Sequence, residues 1–302
     1  MPLFRLVALL SGPLLYLTVI ALLSACTAYA IHLSAPGDLN FSLLVSRGAQ
    51  VLLLVSLIPL ARALRLSLRE IGLPDSRTIF LSQFGLGFLL GLFILTVHVL
   101  MLLALGAIKP NPEVEVSLFA IQSSFIKALW VGVLVATMEE LIFRGMLLAC
   151  LKRFGPVLGA AWISAFYYAS LHFLKSDLRP AAHEVQWYTG FALLADGARH
   201  VISDTPFDSW LALFCAGLFL AAVRVIVPQG LGFCIGIHAG WIVVIKLGRR
   251  LTNPDPHAPL AHLVGPYDQI IGYGAAGWIT LLLLVLLSVA RLVPTQTVGT
   301  PK

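Results

Sequence analysis

The stretch Ala136-Thr137-Met138-Glu139-Glu140-Leu141-Ile142-Phe143-Arg144 sets two adjacent acids and an arginine inside an apolar run that extends from 117 to 151. Such a run reads as a membrane helix, because about 20 apolar residues suffice to cross a bilayer. An acid near the bilayer centre costs something like 2.5 to 3.5 kcal/mol on insertion scales, so intramembrane carboxylates are rare and point to function. On a helix, Glu140 and Arg144 share a face, whereas Glu139 is turned by about 100° from Glu140. Glu140 can therefore pair with Arg144, or with a histidine, and neutralise a guanidinium that cannot lose its proton. Glu139 is left without a partner in its own helix.

The flanking sequence is of the same kind. Of 302 residues, 59% are hydrophobic and only 11% charged, with mean hydropathy at +0.94, against roughly 45–50% apolar and 25% charged in a soluble domain. That composition excludes a water-soluble globule and leaves no room for a separate soluble catalytic domain. Apolar runs fall at 6–30, 41–62, 79–106, 117–151, 156–175, 208–227, 230–247 and 269–292. The expectation is one all-α polytopic membrane domain over 1–302 with about eight transmembrane helices, embedded in the lipid bilayer. The run at 117–151 exceeds one crossing and must tilt, bend or protrude. In the first run, Leu23-Ser24-Ala25-Cys26 resembles a lipoprotein cleavage box and Ala28-Tyr29-Ala30 a signal peptidase site. Gly12 and Pro13 interrupt that run, and its apolar length passes the usual 7 to 15 residue signal core, so it reads as a retained first helix.

The net charge of +6 comes from Lys and Arg scattered between apolar runs rather than gathered on one solvated face, which argues against nucleic acid. Arg62, Arg65, Arg69 and Arg77 crowd the second connection, while the first, from Ser34 to Asn40, has no Lys or Arg. The positive-inside bias then places the second connection and both termini in the cytoplasm, with a bacterial inner membrane as the expected location. Lys152, Arg153 and Arg291 agree with this orientation; Lys246, Arg249 and Arg250 do not. Cys26, Cys150, Cys215 and Cys234 lie in apolar runs without a CxxC pair and read as small buried hydrophobes. The polar stretch from Ser176 to Pro206 reads as a solvated loop with an interfacial helix anchored by Trp187, Tyr188 and Phe191, or more sharply as a lid.

Partners for Glu139 must come from other helices. His172 ends the run Ser164-Ala165-Phe166-Tyr167-Tyr168-Ala169-Ser170-Leu171-His172, and His238 lies in Gly236-Ile237-His238-Ala239-Gly240-Trp241. At 1.5 Å of rise per residue, Glu139, His172 and His238 lie roughly 18, 25 and 12 Å from the cytoplasmic face, so all three can meet at mid-membrane. His98 has no accompanying motif and reads as structural. Arg47 and Arg224 lie near helix ends and are expected to snorkel. Gly272-Tyr273-Gly274-Ala275-Ala276-Gly277 fits a dinucleotide pattern by letter only, since no strand precedes it; close helix packing explains it better, as it does Gly87 and Gly91.

A glutamate in a low-dielectric cavity is a stronger proton acceptor than one in water, able to take a proton from water and return it to a leaving amine. That chemistry is peptide hydrolysis, with one histidine orienting the water and the other donating to the oxyanion. The same residues could instead ligate zinc, since two histidines and a glutamate form a known catalytic set. The zincin signature, two histidines four apart around a glutamate, is missing: His183-Glu184 is followed by Trp187. Metal-free catalysis without a cofactor ranks above zinc, which stays open. A proton-coupled transporter is the reading from another class, although no duplicated halves are evident.

At these residues the sequence resembles the CPBP family, the type II CAAX prenyl endopeptidases and their bacterial relatives. The family's paired glutamates and arginine match Glu139, Glu140 and Arg144. Its aromatic four residues before a histidine matches Tyr168 and His172, with tyrosine where phenylalanine is usual. Its histidine followed four residues later by asparagine or aspartate matches His238 but meets Ile242. The resemblance covers mainly residues 130–245, within a catalytic core at approximately 117–247. It implies a glutamic-type intramembrane endopeptidase acting on a membrane-anchored peptide or protein, with Glu139 as general base, His172 assisting, His238 in the oxyanion hole and Glu140 and Arg144 in support. Ile242 cannot donate a hydrogen bond, so Trp241, a backbone amide or another side chain must replace the missing donor. Losing one such donor typically costs about 10² to 10³ in rate.

Overall fold

The computed structural model describes residues 3–34, 39–114 and 117–292, with the side chains of residues 3–6 and 8–10 left aside. Arg5 and most of the first connection, residues 35–38, thus lie outside the described side chains. Among the described residues, eleven α-helices carry the chain: α1 (Leu3–Ser34), α2 (Phe41–Ala63), α3 (Leu68–Ile71), α4 (Arg77–Ala104), α5 (Leu118–Glu140), α6 (Leu148–Phe154), α7 (Val157–Leu171), α8 (Thr189–Ser203), α9 (Phe207–Ile226), α10 (Leu231–Leu251) and α11 (Tyr273–Leu292). A π-helical turn, Leu141–Leu147, joins α5 to α6. Two short strands, β1 (Ile108–Pro110) and β2 (Thr252–Pro254), pair antiparallel.

Seven of the described helices are long and apolar enough to cross a membrane; the π turn lies inside the fourth, which runs unbroken from Leu118 to Phe154. The run expected at 156–175 forms α7, an apolar helix of only 15 residues. It stops early because the chain turns at His172, whose ring bonds back to the Tyr168 carbonyl. Leu89 and Phe93 of α4, Trp130 and Leu134 of α5 and Leu284 of α11 stay exposed on the outside of the bundle. Lipid covers such a belt and water does not. The chain is an all-α polytopic integral membrane protein.

Glycines fix the central helix pair. A Cβ on Gly236 would stand 2.2 Å from the Phe84 carbonyl oxygen, and one on Gly91 would stand 2.2 Å from that of Ile237. The backbones of α4 and α10 therefore touch, as small residues four apart permit. His238, two residues from Gly236 and two from Gly240, is turned about 200° away from that contact and faces the opposite side of α10.

The two ends of the bundle are closed differently. At one end, the guanidinium of Arg153 donates to the carbonyls of Leu64 and Arg65 and to Glu70. Glu70 also accepts from the Ser67 backbone and hydroxyl in a capping box, and these contacts hold its carboxyl down at about 2. Arg224 does not snorkel. It is 3% exposed and donates to the carbonyls of Glu70 and Pro228, passing over Gly72, whose φ of 99° and missing Cβ leave room for it. At the other end lie the β1–β2 ribbon, the segment 172–206 and the connection from α10 to α11.

In that segment α8 buries Gly190, Leu193 and Gly197, with Gly190 against Ala25 of α1. Trp187 and Tyr188 stay exposed. Of the cysteines, Cys234 is buried, whereas Cys26 is exposed on the outer face, so the reading of all four as buried does not hold. His98 is fully buried, its Nε2 3.3 Å from the Ile270 carbonyl.

Candidate active site

Glu139 and Glu140 end α5 where the π turn begins. Glu140 is 0% exposed and Arg144 is 1% exposed. Arg144 Nη1 donates to Glu140 Oε1 at 2.9 Å, and Nη2 donates to the Gly217 carbonyl at 3.2 Å. The guanidinium also lies over the Tyr168 ring, 4.2 Å from its centroid. This buried cation thus meets a carboxylate, a carbonyl and a π surface, which offsets part of its desolvation, while its Nε has no hydrogen-bond partner among the described residues. Glu140 Oε1 is shared, since His238 Nδ1 stands 2.9 Å from it.

His172 Nδ1 is 2.7 Å from the Tyr168 carbonyl. A carbonyl and a carboxylate only accept, so both histidines carry a proton on Nδ1 and present Nε2 to the interior. Both Nε2 atoms turn to the same place: His172 Nε2 is 3.6 Å and His238 Nε2 is 3.8 Å from Glu139 Oε2. Tyr168 Oη lies 3.4 Å from His238 Nε2. Glu139 Oε2 is buried and has no hydrogen-bond partner among the described residues.

Glu139, Tyr168, His172, His238, Trp241 and Ile242 line one cavity of about 460 Å³. The structure thus brings together residues from α5, α7 and α10, while Glu140 and Arg144 stand behind the wall. Trp241 is 5% exposed and its indole Nε1 is a buried donor without a partner among the described residues. No residue of 176–206 lines this cavity, so that segment does not cover it here.

Tyr267 and Asp268, from the connection before α11, also line it, and sequence reasoning does not single them out. Their only signal is an acid beside an aromatic next to an apolar run. Asp268 is 4% exposed, and its Oδ1 accepts the Ile270 and Ile271 N–H groups at 3.0 and 2.8 Å. Burial pushes its carboxyl up from 3.8 to about 6, against those bonds and nearby Arg249. A raised acid favours the protonated form in the fold, so its stabilising effect is complete below about pH 4 and is lost as pH rises through about 6. At about 1.36 kcal/mol per unit the difference is on the order of 3 kcal/mol. Asp268→Asn keeps an accepting oxygen without the charge. Its unfolding temperature in detergent is expected to exceed wild type at about pH 7.5 and to match it near pH 4; equal values at both would refute the assignment.

Residues 121–244 match the family model described as Rce1-like, type II CAAX prenyl endopeptidase Rce1-like. No curated protein and no solved structure gives a significant match to the chain. The matched segment holds the two glutamates, Arg144, Tyr168, both histidines and Trp241. Through that segment the chain is similar to the Rce1-like family of type II CAAX prenyl endopeptidases.

Proposed function

We propose that the protein is a glutamic-type intramembrane endopeptidase that hydrolyses a peptide bond in a membrane-anchored substrate with Glu139 as the base and no metal. The observation that carries this reading is the convergence of Glu139 Oε2 with two imidazole Nε2 atoms at 3.6 and 3.8 Å on one cavity. With Nδ1 protonated, His172 Nε2 is an acceptor, as is the carboxylate, and the 3.6 Å gap is too long for a direct hydrogen bond. A water donating one hydrogen to Oε2 and the other to His172 Nε2 satisfies both acceptors.

Glu139 takes a proton from that water as its oxygen adds to the substrate carbonyl. The carbon–nitrogen bond then breaks, and Glu139 returns the proton to the leaving nitrogen. Two carboxylates and one guanidinium leave one negative charge in the cluster; a second proton on His238 cancels it. In that state His238 donates through both nitrogens, to Glu140 and to the developing oxyanion. The Trp241 N–H and the Tyr168 hydroxyl are the further donors available where Ile242 offers none. Glu140 and Arg144 position His238.

Wild type reconstituted with a library of membrane-anchored peptides, including prenylated CAAX sequences, is expected to cleave a subset with or without a chelator. His172→Ala is expected to lower kcat by about 10² to 10⁴, and Trp241→Phe by about 10² with little change in KM. Loss of cleavage on chelation, restored by zinc, would establish the metalloenzyme. Proton flux that depends on Glu139 without proteolysis would establish the transporter. With the Arg65–Arg77 connection in the cytoplasm of a bacterial cell, both termini lie there and the cavity rim of Lys246, Arg249 and Asp268 points to the opposite side.

A further inference from the structure

A second cavity, of about 310 Å³, lies apart from the one that holds Glu139, and the two linings share no residue. One wall comes from α1 and α2, with Gly12, Leu53 and Leu60; the other comes from the π turn, α6 and α7, with Phe143, Met146 and Leu171. α1 and α2 pack chiefly on each other, and this slot separates them from the turn that carries Arg144. The polar groups beside it are already engaged: the Tyr16 hydroxyl bonds to Ser56 and Tyr167 to the backbone of Leu14. What remains is hydrocarbon with the Cys150 thiol. A polar ligand would give up its hydrogen bonds there and gain none.

The slot has the length of one leaflet. Leu53 and Leu64 both line it, and eleven residues at 1.5 Å of rise put them about 16 Å apart along α2. Half of a hydrocarbon core of about 30 Å is about 15 Å, the depth that a single acyl chain fills. Its two ends differ. Leu53 and Leu171 lie toward the middle of the bundle, whereas Leu64 and Phe154 mark the end at the turn where Arg153 donates to the carbonyls of Leu64 and Arg65.

That turn carries cations to spare. Arg69 pairs with Asp75 and Arg153 with Glu70. Arg62 and Arg65 are exposed, and neither side chain has a hydrogen bond or ion pair among the described residues. They flank Leu64 at the mouth of the slot. Basic residues at the end of an apolar gap between membrane helices suit an anionic headgroup with its tail in the gap.

We infer that this slot is a binding site for an anionic phospholipid, with one acyl chain between the α1–α2 pair and the π turn and the headgroup phosphate on Arg62 and Arg65. The bound chain fills the space behind Phe143 and Met146 and so supports, from the side away from Glu139, the turn that holds Arg144 against Glu140.

The test places full-length protein in phosphatidylcholine nanodiscs doped with phosphatidylglycerol or phosphatidylcholine that carries a photoactivatable diazirine midway along one acyl chain. Labelled residues are located by peptide mass spectrometry. The phosphatidylglycerol probe is expected to label residues 142–151 at least about fivefold more than the phosphatidylcholine probe, the weight of one cation near an anionic head. Both probes are expected to label the exposed outer face of α4 at Leu89 and Phe93 to the same extent. Arg62→Gln with Arg65→Gln is expected to bring the ratio at 142–151 close to one. At Gly12 an added Cβ meets no atom within 4 Å, so the side chain of Gly12→Leu has room to enter the slot; it is expected to abolish most labelling of 142–151 by either probe and leave that of α4 unchanged. Equal labelling of 142–151 by the two probes, a headgroup preference that survives loss of both arginines, or labelling that Gly12→Leu does not reduce overturns the inference. So does displacement of the probe from 142–151 by a prenylated peptide, which would assign the slot to the substrate's own anchor. Each outcome is read without turnover, so this site stands or falls separately from the peptidase reading.

Discussion

Glu139→Gln is expected to lower peptide hydrolysis by at least about 10³-fold while leaving the unfolding temperature unchanged or higher. Glutamine keeps the shape of the side chain, its carbonyl oxygen and its contact with the cavity, but cannot accept a proton from water on the reaction path. The stability side follows from the same environment. Glu139 is half-buried and its Oε2 has no hydrogen-bond partner among the described residues, and a carboxylate oxygen left unpaired by the protein destabilises a fold. A site held against stability for the sake of activity is the usual trade. Kinetics on anchored peptides, paired with thermal unfolding of the same preparations, check both halves. A variant that retains activity within tenfold of wild type would remove Glu139 from the base role, and one that loses activity only because it unfolds would leave the role unproved.

The second large effect is on the fold. Arg144→Met removes a cation that is 0% exposed in its side chain and leaves Glu140, also 0% exposed, with only His238 as partner among the described residues. Breaking a buried pair from one side typically costs about 3 to 5 kcal/mol, because a charge is left behind rather than because the pair itself was strongly favourable. Glu140→Gln together with Arg144→Met removes both charges, and the amide that replaces the Glu140 carboxylate still offers an oxygen to His238 Nδ1. The double variant is therefore expected to be more stable than Arg144→Met alone, by about 2 kcal/mol or more of coupling. If the two substitutions add without coupling, the shared oxygen that ties Arg144, Glu140 and His238 is not the organising contact described here.

Much of this arrangement was legible in sequence because the membrane makes ionisable residues conspicuous. Glu139 and Glu140 stood out by their cost in lipid, and Arg144 by its spacing of four from Glu140. His172 and His238 followed from the need for partners at matching depth. Other features depend on tertiary packing and left no pattern to read. The π turn at Leu141–Leu147 is written in hydrogen bonds that hydropathy does not report. Arg224 reads in sequence as a residue free to reach water, yet the turn at Gly72 brings the Glu70 carbonyl to it and the end of its own helix brings that of Pro228. The apolar run at 156–175 could not reveal that His172 closes the helix by bonding to Tyr168. Tyr267 and Asp268 enter the cavity from a connection whose path is set by α10 and α11. Lys246 and Arg249 read in sequence only as exceptions to a charge rule, and no pattern there shows that they line the cavity.

The most direct test is a single-turnover cleavage of an anchored peptide by metal-stripped wild type in water enriched in heavy oxygen. The account predicts that the rate is unchanged by stripping and that the new peptide C-terminus carries one heavy oxygen. Cleavage that ceases on stripping and returns with zinc, or a product that never gains the label, would contradict a water activated by Glu139 alone.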